Sequence, residues 1–214
     1  MARSNLFGRG CRCTVCIAQL SAPKSAYYYW LLDIREMIFR MTNKLAKKIG
    51  ITPSQCLPLD RNPFTDWSAH LFTAQQVQYV IMTNTPSLYS IVMYGRGITD
   101  DNRFVKSALS CMSEFMTGDG NEFLFRRLIA PRTGTILFSR MGDRRVLGSI
   151  GDLVMQSKYH LVEGEVSPFA ASLLLNQTPM SYIGYRSPRE AFKSLRIEEE
   201  GASNLAFENE IIGE

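Results

Sequence analysis

Six arginines fall within twenty residues of the chain and form its densest group of side chains that could bind an anion. The arginine side chain is planar and permanently charged, and it contacts phosphate or carboxylate through two parallel hydrogen bonds. This concentration predicts a contact surface for nucleic acid, another polyanion or an acidic protein. Pairing with Glu122, Asp143 or the acidic end of the chain is the alternative. The six are Arg126, Arg127, Arg132, Arg140, Arg144 and Arg145.

His70 is a second candidate for chemistry, because imidazole exchanges a proton near neutral pH and is the most common general base. Asp66 lies four residues before it, and the two together would suit a small hydrolase. In a strand, however, four residues span about 13 Å, and the chain shows no nucleophile elbow or Cys–His signature. A packed His70 without a catalytic role is the other explanation. The sequence therefore leaves open whether the protein is an enzyme.

The cysteines and glycines do not indicate a metal or cofactor site. Cys11, Cys13 and Cys16 have the spacing of part of a zinc site, but zinc needs four ligands and both histidines lie far away. The total of five cysteines is odd, and the isolated Cys56 and Cys111 are typical of free thiols in a reducing compartment. The Gly-x-Gly turns at 95–97 and 118–120 lack the following glycine or lysine of a nucleotide-binding loop. We therefore expect no metal, no cofactor and a cytoplasmic location.

The composition is that of a soluble globular protein with one core. Of the 214 residues, 45% are hydrophobic and 21% are charged, a balance that argues against disorder. No apolar stretch approaches the ~18 to 20 residues of a membrane-spanning helix, so we expect no membrane contact. The net charge is +3 in residues 1–36, +6 in residues 37–195 and −5 in residues 196–214. A basic body with an acidic end permits contact with a polyanion.

Apolar periodicity predicts the elements that must position these side chains. Strands are predicted over residues 37–40, 67–73, 77–82, 88–94 and 135–139, the second and third as a hairpin. Helices are predicted over residues 42–49, 99–117, 122–129, 150–162, 167–174 and 187–195. Ser149 and Asp152 have the spacing of a capping box and set the predicted start of the long fourth helix.

Strands in the first half and helices in the second predict an α+β fold. We expect a small, mainly antiparallel sheet from the N-terminal half, packed by helices, and a helical C-terminal half, with Trp67 and Tyr89 as core aromatics. A single domain is expected over residues 37–195. Residues 1–36 are interpreted as an N-terminal extension ahead of a natural start near Met37 or Met41. Residues 196–214 are predicted to be an acidic flexible tail.

Five blocks of sequence resemble a bacterial domain family of unknown function. The blocks are Phe39–Leu45, Trp67–Leu71, Met82–Ser90, Arg145–Asp152 and Leu175–Pro188. Their order and spacing match the family from about Met37 to Leu195. The resemblance implies a bacterial, cytosolic, single-domain protein that begins near Met37, and it carries over no catalytic residue.

The segment Asn176–Phe192 is also similar to the closing segment of integrase-type transposases, which contains an Asn, a Pro and a Gly-Tyr-x-Thr-Pro-x-Glu-x-Phe pattern. Those enzymes depend on three carboxylates that hold two metal ions. The upstream acidic residues here lie mostly in predicted turns or at helix starts, and none is a convincing first member on a strand. They are Asp100, Asp101, Asp119, Asp143 and Asp152. This similarity therefore carries over no catalytic site.

The leading hypothesis from the sequence is a non-catalytic binding module that contacts nucleic acid or an acidic protein through the arginines. A small hydrolase centred on His70 is the alternative. A third possibility is a partner subunit, for which an exposed apolar patch beside residues 88–94 or the last two helices would be expected. The ligand and the oligomeric state are not predicted.

Overall fold

A five-stranded mixed sheet lies at the centre of the computed structural model, which describes residues 36–53 and 55–197. Its strands are β1 (Glu36–Met41), β2 (Asp66–Ala74), β3 (Val77–Asn84), β4 (Ser90–Tyr94) and β5 (Thr135–Arg140), in the order β4-β3-β2-β1-β5. The pairs β2–β3 and β3–β4 are antiparallel, whereas β1 is parallel to both β2 and β5. The predicted α+β class is confirmed. The sheet, expected to be mainly antiparallel, is mixed, with two antiparallel and two parallel pairings, because hairpin signals report local pairing and both parallel pairings join strands distant in sequence.

The helices surround this sheet. They are α1 (Asn43–Lys48), α2 (Asp101–Gly118), α3 (Glu122–Leu124), α4 (Arg144–Val162), α5 (Pro168–Leu175) and α6 (Pro188–Ser194). A π-helical turn (Phe125–Ile129) and a 3-10 turn (Ala130–Arg132) continue α3 towards β5, and a further 3-10 turn (Ser181–Ile183) precedes α6. None of the helices within these described ranges is long and apolar enough to span a bilayer.

The start of α4 differs from the prediction. The helix begins at Arg144, and its N-cap is Asp143, whose side chain accepts hydrogen bonds from the backbone N–H groups of Arg145 and Val146. The predicted capping box at Ser149 and Asp152 is wrong, because Ser149 lies inside the helix and its Oγ donates to the carbonyl of Arg145 at 3.1 Å. The prediction failed because the apolar period is weak over the first turn, where two arginines and two glycines surround Leu147.

The two faces of the sheet have separate apolar cores. Phe39 and Trp67 belong to the first core, where they pack with α2 residues such as Phe104 and Met112. The second core contains Ile81 and the buried side of α4. Trp67 and the neighbouring Tyr89 are both fully buried, which confirms the prediction that they are core aromatics.

The connections after β1 and β5 leave the sheet towards opposite faces. β1 leads into α1, whose Leu45 and Ala46 pack in the first core. β5 leads into α4, whose Val146 and Ile150 pack in the second core. Because β1 and β5 are adjacent and parallel, a crevice is expected between the chain segments that diverge at their carboxyl ends.

A row of buried polar side chains crosses all five strands on the second face of the sheet. The register pairs Arg40 with both Ser139 and Ser68, then Ser68 with Thr83, and Thr83 with Ser90. These five residues are at most 5% exposed. Buried polar groups cost free energy unless they are hydrogen-bonded, so this polar row needs partners from the loops and helices around it.

Helix α5 and the residue after it supply hydrogen-bond partners for the backbone of β4, which is an edge strand of the sheet. The Asn176 side chain, directly after α5, accepts from the Ser90 N–H and donates to the Ser90 carbonyl, both at 2.8 Å. The Ser172 Oγ accepts from the Val92 N–H at 2.8 Å. These side chains satisfy backbone groups that an exposed edge strand would leave open to another chain.

Candidate functional site

A cavity of about 280 Å³ lies at the carboxyl ends of β1 and β5, on the second face of the sheet. Buried Arg40 and Ser68 contribute to its lining from neighbouring strands, at the level of the polar row. The segment 141–143, which joins β5 to α4, lines another side, together with Val146 of α4. The cavity therefore occupies the crevice that the topology predicts.

Arg40 and Asp66 form a buried, two-pronged ion pair beside this cavity. The Arg40 Nε donates to Asp66 Oδ1 at 2.8 Å, and its Nη2 donates to Oδ2 at 2.7 Å. Arg40 also donates to the carbonyls of Leu57 and Pro58 at 2.7 and 2.6 Å. Burial opposes the charge of Arg40, but the bonds to Asp66 hold its pKa above the ordinary value. The guanidinium of Arg40 is therefore charged, and both groups already have partners.

Hydroxyls and apolar groups make up most of the remaining lining. The Oγ of Ser68 lies 3.0 Å from the Oγ1 of Thr85, and both residues line the cavity. Leu57 and Leu59 come from the loop between α1 and β2, and Tyr182 comes from the 3-10 turn before α6. Burial and the nearby Asp143 raise the pKa of Tyr182, while Arg145 opposes that shift. The phenol therefore stays protonated at neutral pH and can donate a hydrogen bond.

The first turn of α4 offers the cavity no free pair of backbone N–H groups, because Asp143 already binds them. Asp143 occupies this position, with its Oδ1 2.7 Å from the backbone N of Arg145 and 3.4 Å from that of Val146. A helix N-terminus is a common phosphate site, but here a carboxylate already accepts those hydrogen bonds. An anion at this cavity would depend on side chains instead.

The structure places the six predicted arginines in two groups at opposite ends of β5. Arg126, Arg127 and Arg132 precede the strand, and Arg126 pairs with Glu122 at 2.8 Å. The second group, Arg140, Arg144 and Arg145, flanks the cavity segment 141–143. A six-residue strand separates the groups by about 17 Å.

The cavity-side arginines are exposed. Within residues 36–53 and 55–197, Arg140, Arg144 and Arg145 make no ion pair. The charge of Arg145 reaches the phenol of Tyr182, which lines the cavity. This group therefore leaves positive charge available at the cavity.

Asp66 and His70 have separate surroundings. The Asp66 carboxylate is bonded to Arg40 and also accepts from the Asp60 N–H at 3.2 Å. Burial, with Lys44 and Lys158 nearby, lowers the pKa of His70, and its buried Nδ1 has no hydrogen-bond partner among the described residues. A carboxylate already held by arginine cannot orient a histidine about 13 Å farther along the strand.

Sequence reasoning missed Arg40, Ser68, Thr85, Cys56 and Tyr182 as lining residues of one cavity. Arg40 carried a usable signal, because it is a charged residue inside the apolar strand segment 37–41. A charge that a strand buries needs a partner, and Asp66 opens the next strand along the chain. The hydroxyls carried no such signal, since serine and threonine are common throughout the sequence.

A second buried polar cluster joins three elements and lies outside this cavity. Tyr89, before β4, donates to Asp119 Oδ2 at 2.6 Å, and Asn121 donates to the same oxygen at 2.8 Å. Arg189 of α6 donates to the other oxygen of Asp119. Burial and Asp119 raise the pKa of Tyr89, so its phenol stays protonated. The cluster ties β4, the end of α2 and α6 together.

A smaller cavity of about 220 Å³ lies between β4, α2 and α5. Its lining includes Phe115, Phe169 and Cys111, with Glu114 as a charged neighbour. Burial raises the pKa of the Cys111 thiol to about 11, so the thiol is protonated at neutral pH. Among the described residues no three His, Cys, Asp or Glu side chains are grouped as metal ligands, and Cys11, Cys13 and Cys16 lie outside the described residues.

Comparison with known proteins gives one family. The model of the family described as "Domain of unknown function (DUF6933)" matches residues 38–191, which include the sheet apart from the first two residues of β1, the cavity and five of the six helices in full. No curated protein matches the chain.

Proposed function

We propose that this chain, which belongs to the DUF6933 family, is a non-catalytic binding module that holds a small amphipathic anion in the cavity beside β1 and β5. The observation that carries the proposal is the position of this cavity, between two parallel strands whose connections diverge to opposite faces. In open sheets of this kind, ligands bind outside the carboxyl ends of such strands.

The cavity walls support a ligand with an apolar body. Small-molecule sites are mainly apolar, with a few polar groups that fix orientation. Here the walls include Leu57, Leu59 and Met141, and Ser68 and Thr85 supply the convergent hydroxyls. A volume of about 280 Å³ suits a body of up to three aromatic rings or a short branched chain.

The surrounding charge supports a negatively charged head group on that ligand. Arg140, Arg144 and Arg145 carry three positive charges next to the segment 141–143, against the one carboxylate of Asp143. That carboxylate is already occupied by two backbone N–H groups. A phosphate, sulfonate or carboxylate directed towards Arg145 would gain a charge-assisted contact.

The ion pair beside the cavity supports binding rather than catalysis. The catalytic candidates of the sequence are a carboxylate and an imidazole, which would have to share a site within reach of a substrate proton. Asp66 is held by Arg40, and no described contact brings His70 to it. The proposal includes a reducing, cytoplasmic setting in a bacterium, for which the free thiols of Cys56 and Cys111 and the family resemblance are the support.

Two fluorescent probes test the proposal on the full chain. The first is 1-anilinonaphthalene-8-sulfonate, which has an apolar ring body and an anionic head. The second is N-phenyl-1-naphthylamine, which has the same body without the charge. Both are expected to bind with one-to-one stoichiometry, and the sulfonate more tightly. Equal affinity for the two probes, or binding of neither, would contradict the proposed ligand class.

Three variants locate the binding. Arg145→Gln is expected to weaken sulfonate binding by up to about fivefold, the usual limit for one exposed charge, without changing binding of the neutral probe. Arg126→Gln is the matched control on the other side of β5 and should change neither probe. Cys56→Trp, at an exposed position of the cavity wall, should weaken both probes by about tenfold or more.

A labelled single-stranded oligonucleotide tests the polyanion hypothesis in the same titration. Binding that is lost equally in Arg126→Gln and Arg145→Gln, and that weakens steeply with salt, would favour a nucleic-acid surface over the cavity. Retention of sulfonate binding in Arg126→Gln, with no oligonucleotide binding, would support the small anion.

A further inference from the structure

The outward face of α4 carries large apolar side chains where a surface helix usually has charged ones. Met155 is 71% exposed, Tyr159 is 64% exposed and Leu147 is 43% exposed. The opposite side of the helix is buried in the second core. A surface helix needs one apolar stripe to face its core, so this second stripe has no function within the fold of the described residues.

Two glycines lie on the same outward face, at Gly148 and Gly151. A Cβ at either position would meet no atom within 4 Å, so the described structure does not require a glycine there. Glycine within a helix costs roughly 1 kcal/mol relative to alanine. Together the glycines leave a shallow depression beside the exposed Met155, which suits close approach by another helix.

The order of residues along this face is complementary to itself when reversed. Reflection about a point midway between Gly151 and Asp152 exchanges Gly148 with Met155 and Arg144 with Tyr159. These four positions are exposed, and so are Gly151 and Asp152 on either side of the reflection point. Two copies of α4 that cross antiparallel about this point would therefore place a large side chain against a small one twice.

We propose that the outward face of α4 is a two-fold interface between two copies of this chain. Met155 of each copy fills the depression at Gly148 of the other, and the Tyr159 ring lies against the Arg144 guanidinium. The first contact buries apolar surface and the second is a cation–π pair. A two-fold axis makes every contact occur twice, which a partner of unrelated sequence would not require.

The charges beside this stripe set the limits of the interface. Arg145 and Lys158 flank it on opposite sides, and Asp152 lies near the axis beside Gly151, so the two Asp152 carboxylates approach each other. Side chains as long as arginine and lysine can turn outward to solvent. The interface is therefore expected to bury Met155 against Gly148, while the like charges around this contact weakly repel each other.

Sedimentation of the full chain over a concentration series, up to about 100 µM because small interfaces bind weakly, measures the association. The wild type is expected to form dimers. Gly148→Gln is expected to raise the dissociation constant of the dimer at least tenfold, because the new side chain occupies the depression. The same change should raise the thermal midpoint of the monomer, since it removes a helix glycine.

A variant such as Gly148→Gln, which should weaken the dimer but stabilise the monomer, distinguishes an interface residue from one that the fold itself needs. Met155→Glu should abolish the dimer, and Phe123→Glu, at a 73% exposed apolar side chain of α3, is the matched control that should not. A wild type that remains monomeric throughout the series would overturn the proposal. So would a dimer that survives both Gly148→Gln and Met155→Glu, because its interface would then lie elsewhere.

Cross-linking tests the register of the two helices. Cysteine at Asp152 lies next to the two-fold axis, so Asp152→Cys is expected to give a disulfide-linked dimer under mild oxidation. Tyr159→Cys places the two thiols about 22 Å apart along the helices, so it should cross-link no more than wild type, whose native cysteines set the background. Efficient cross-linking at position 159 with none at position 152 would overturn the antiparallel arrangement.

Discussion

Arg40 shows how one charged side chain can be buried within an apolar strand. Its guanidinium donates hydrogen bonds to the Asp66 carboxylate and to two loop carbonyls, and these bonds offset the loss of hydration on burial. Removing one member of such a pair leaves the other charge buried and uncompensated, which typically costs about 3 to 5 kcal/mol. We therefore predict that Asp66→Asn lowers the free energy of unfolding in urea by about 3 kcal/mol or more.

Asp60→Asn is the matched control for this prediction, because Asp60 lies in the adjacent loop and is only partly buried. Its side chain accepts one hydrogen bond, from the Asn62 N–H at 2.7 Å. A loss below about 1 kcal/mol is expected for this variant. Equal losses in the two variants would show that the Arg40–Asp66 pair has no special weight in the fold.

The lowered pKa of His70 predicts that the stability of the fold depends on pH. Burial, together with Lys44 and Lys158, lowers its pKa in the fold, whereas the unfolded chain has the usual value of about 6.5. The unfolded state therefore binds more protons as the pH falls below about 6.5, and folding stability is lost in that direction. Above about pH 7 the contribution of His70 to the free energy of unfolding is constant.

Urea unfolding of wild type and His70→Gln between about pH 5 and pH 8 measures this contribution. The variant should have a smaller loss of stability on acidification than wild type. His160→Gln, at the other histidine, is the control and should retain the slope that His70 contributes. Identical slopes in wild type and His70→Gln would contradict the prediction.

At the level of elements, the position where α4 begins is set by its N-cap residue, Asp143, rather than by its apolar period. The Asp143 carboxylate accepts from two backbone N–H groups of the first turn, whereas Ser149 bonds back to a carbonyl inside the helix. We predict that Asp143→Ala lowers the thermal midpoint and costs about 1 kcal/mol, and that Ser149→Ala costs less. Thermal unfolding followed by circular dichroism decides between them. A larger loss in Ser149→Ala than in Asp143→Ala would favour the helix start at Ser149 that the sequence pattern predicted.

Local signals predicted most elements, and they failed where a pairing joins distant segments. The β2–β3 hairpin was predictable because alternation and a short turn lie within twenty residues. Its turn residues, Gln75 and Gln76, both have positive φ, as a two-residue hairpin turn requires, although neither is a glycine or asparagine. The parallel contact of β1 with β5 joins residues about a hundred positions apart, and no local period records it.

The candidate site likewise contains residues that a local sequence signal predicts and residues that only the fold brings together. The arginines around 140–145 were found because a dense group of one residue type is visible in the sequence alone. The cavity beside them is assembled from β1, β2, three loops, the first turn of α4 and the turn before α6, so its lining is visible only after the sheet order is known. Asp66 was found as a candidate base, but its partner is Arg40 and not His70.

For the whole molecule, the polar row and the cavity lie on the same face of the sheet as α4. That helix therefore has three roles in the described structure and the proposals. Its buried side closes the second core, its first turn borders the cavity through Val146, and its outward side forms the proposed dimer interface. Anion binding and dimerisation are thus expected on one helix, and both involve its N-terminal arginines, Arg144 and Arg145.

The two proposals predict opposite responses to salt. Anion binding depends on the attraction of exposed arginines, and salt screens that attraction over about 10 Å at 0.1 M and less at higher concentrations. The dimer brings together two chains of net charge +4, and the two Asp152 carboxylates approach each other near its axis, so salt screens a repulsion. The contact of Met155 with Gly148 is apolar, and its burial is not weakened by sodium chloride.

We therefore predict that raising sodium chloride from about 0.05 M to about 0.5 M weakens sulfonate-probe binding and strengthens dimerisation in the same sample. Probe titration and sedimentation measure the two quantities. The neutral probe corrects for any general effect of salt on apolar contacts, since its binding to the cavity involves no charge. A change of both quantities in the same direction would contradict the prediction, because attraction to the probe and repulsion between the two chains must respond to salt in opposite ways.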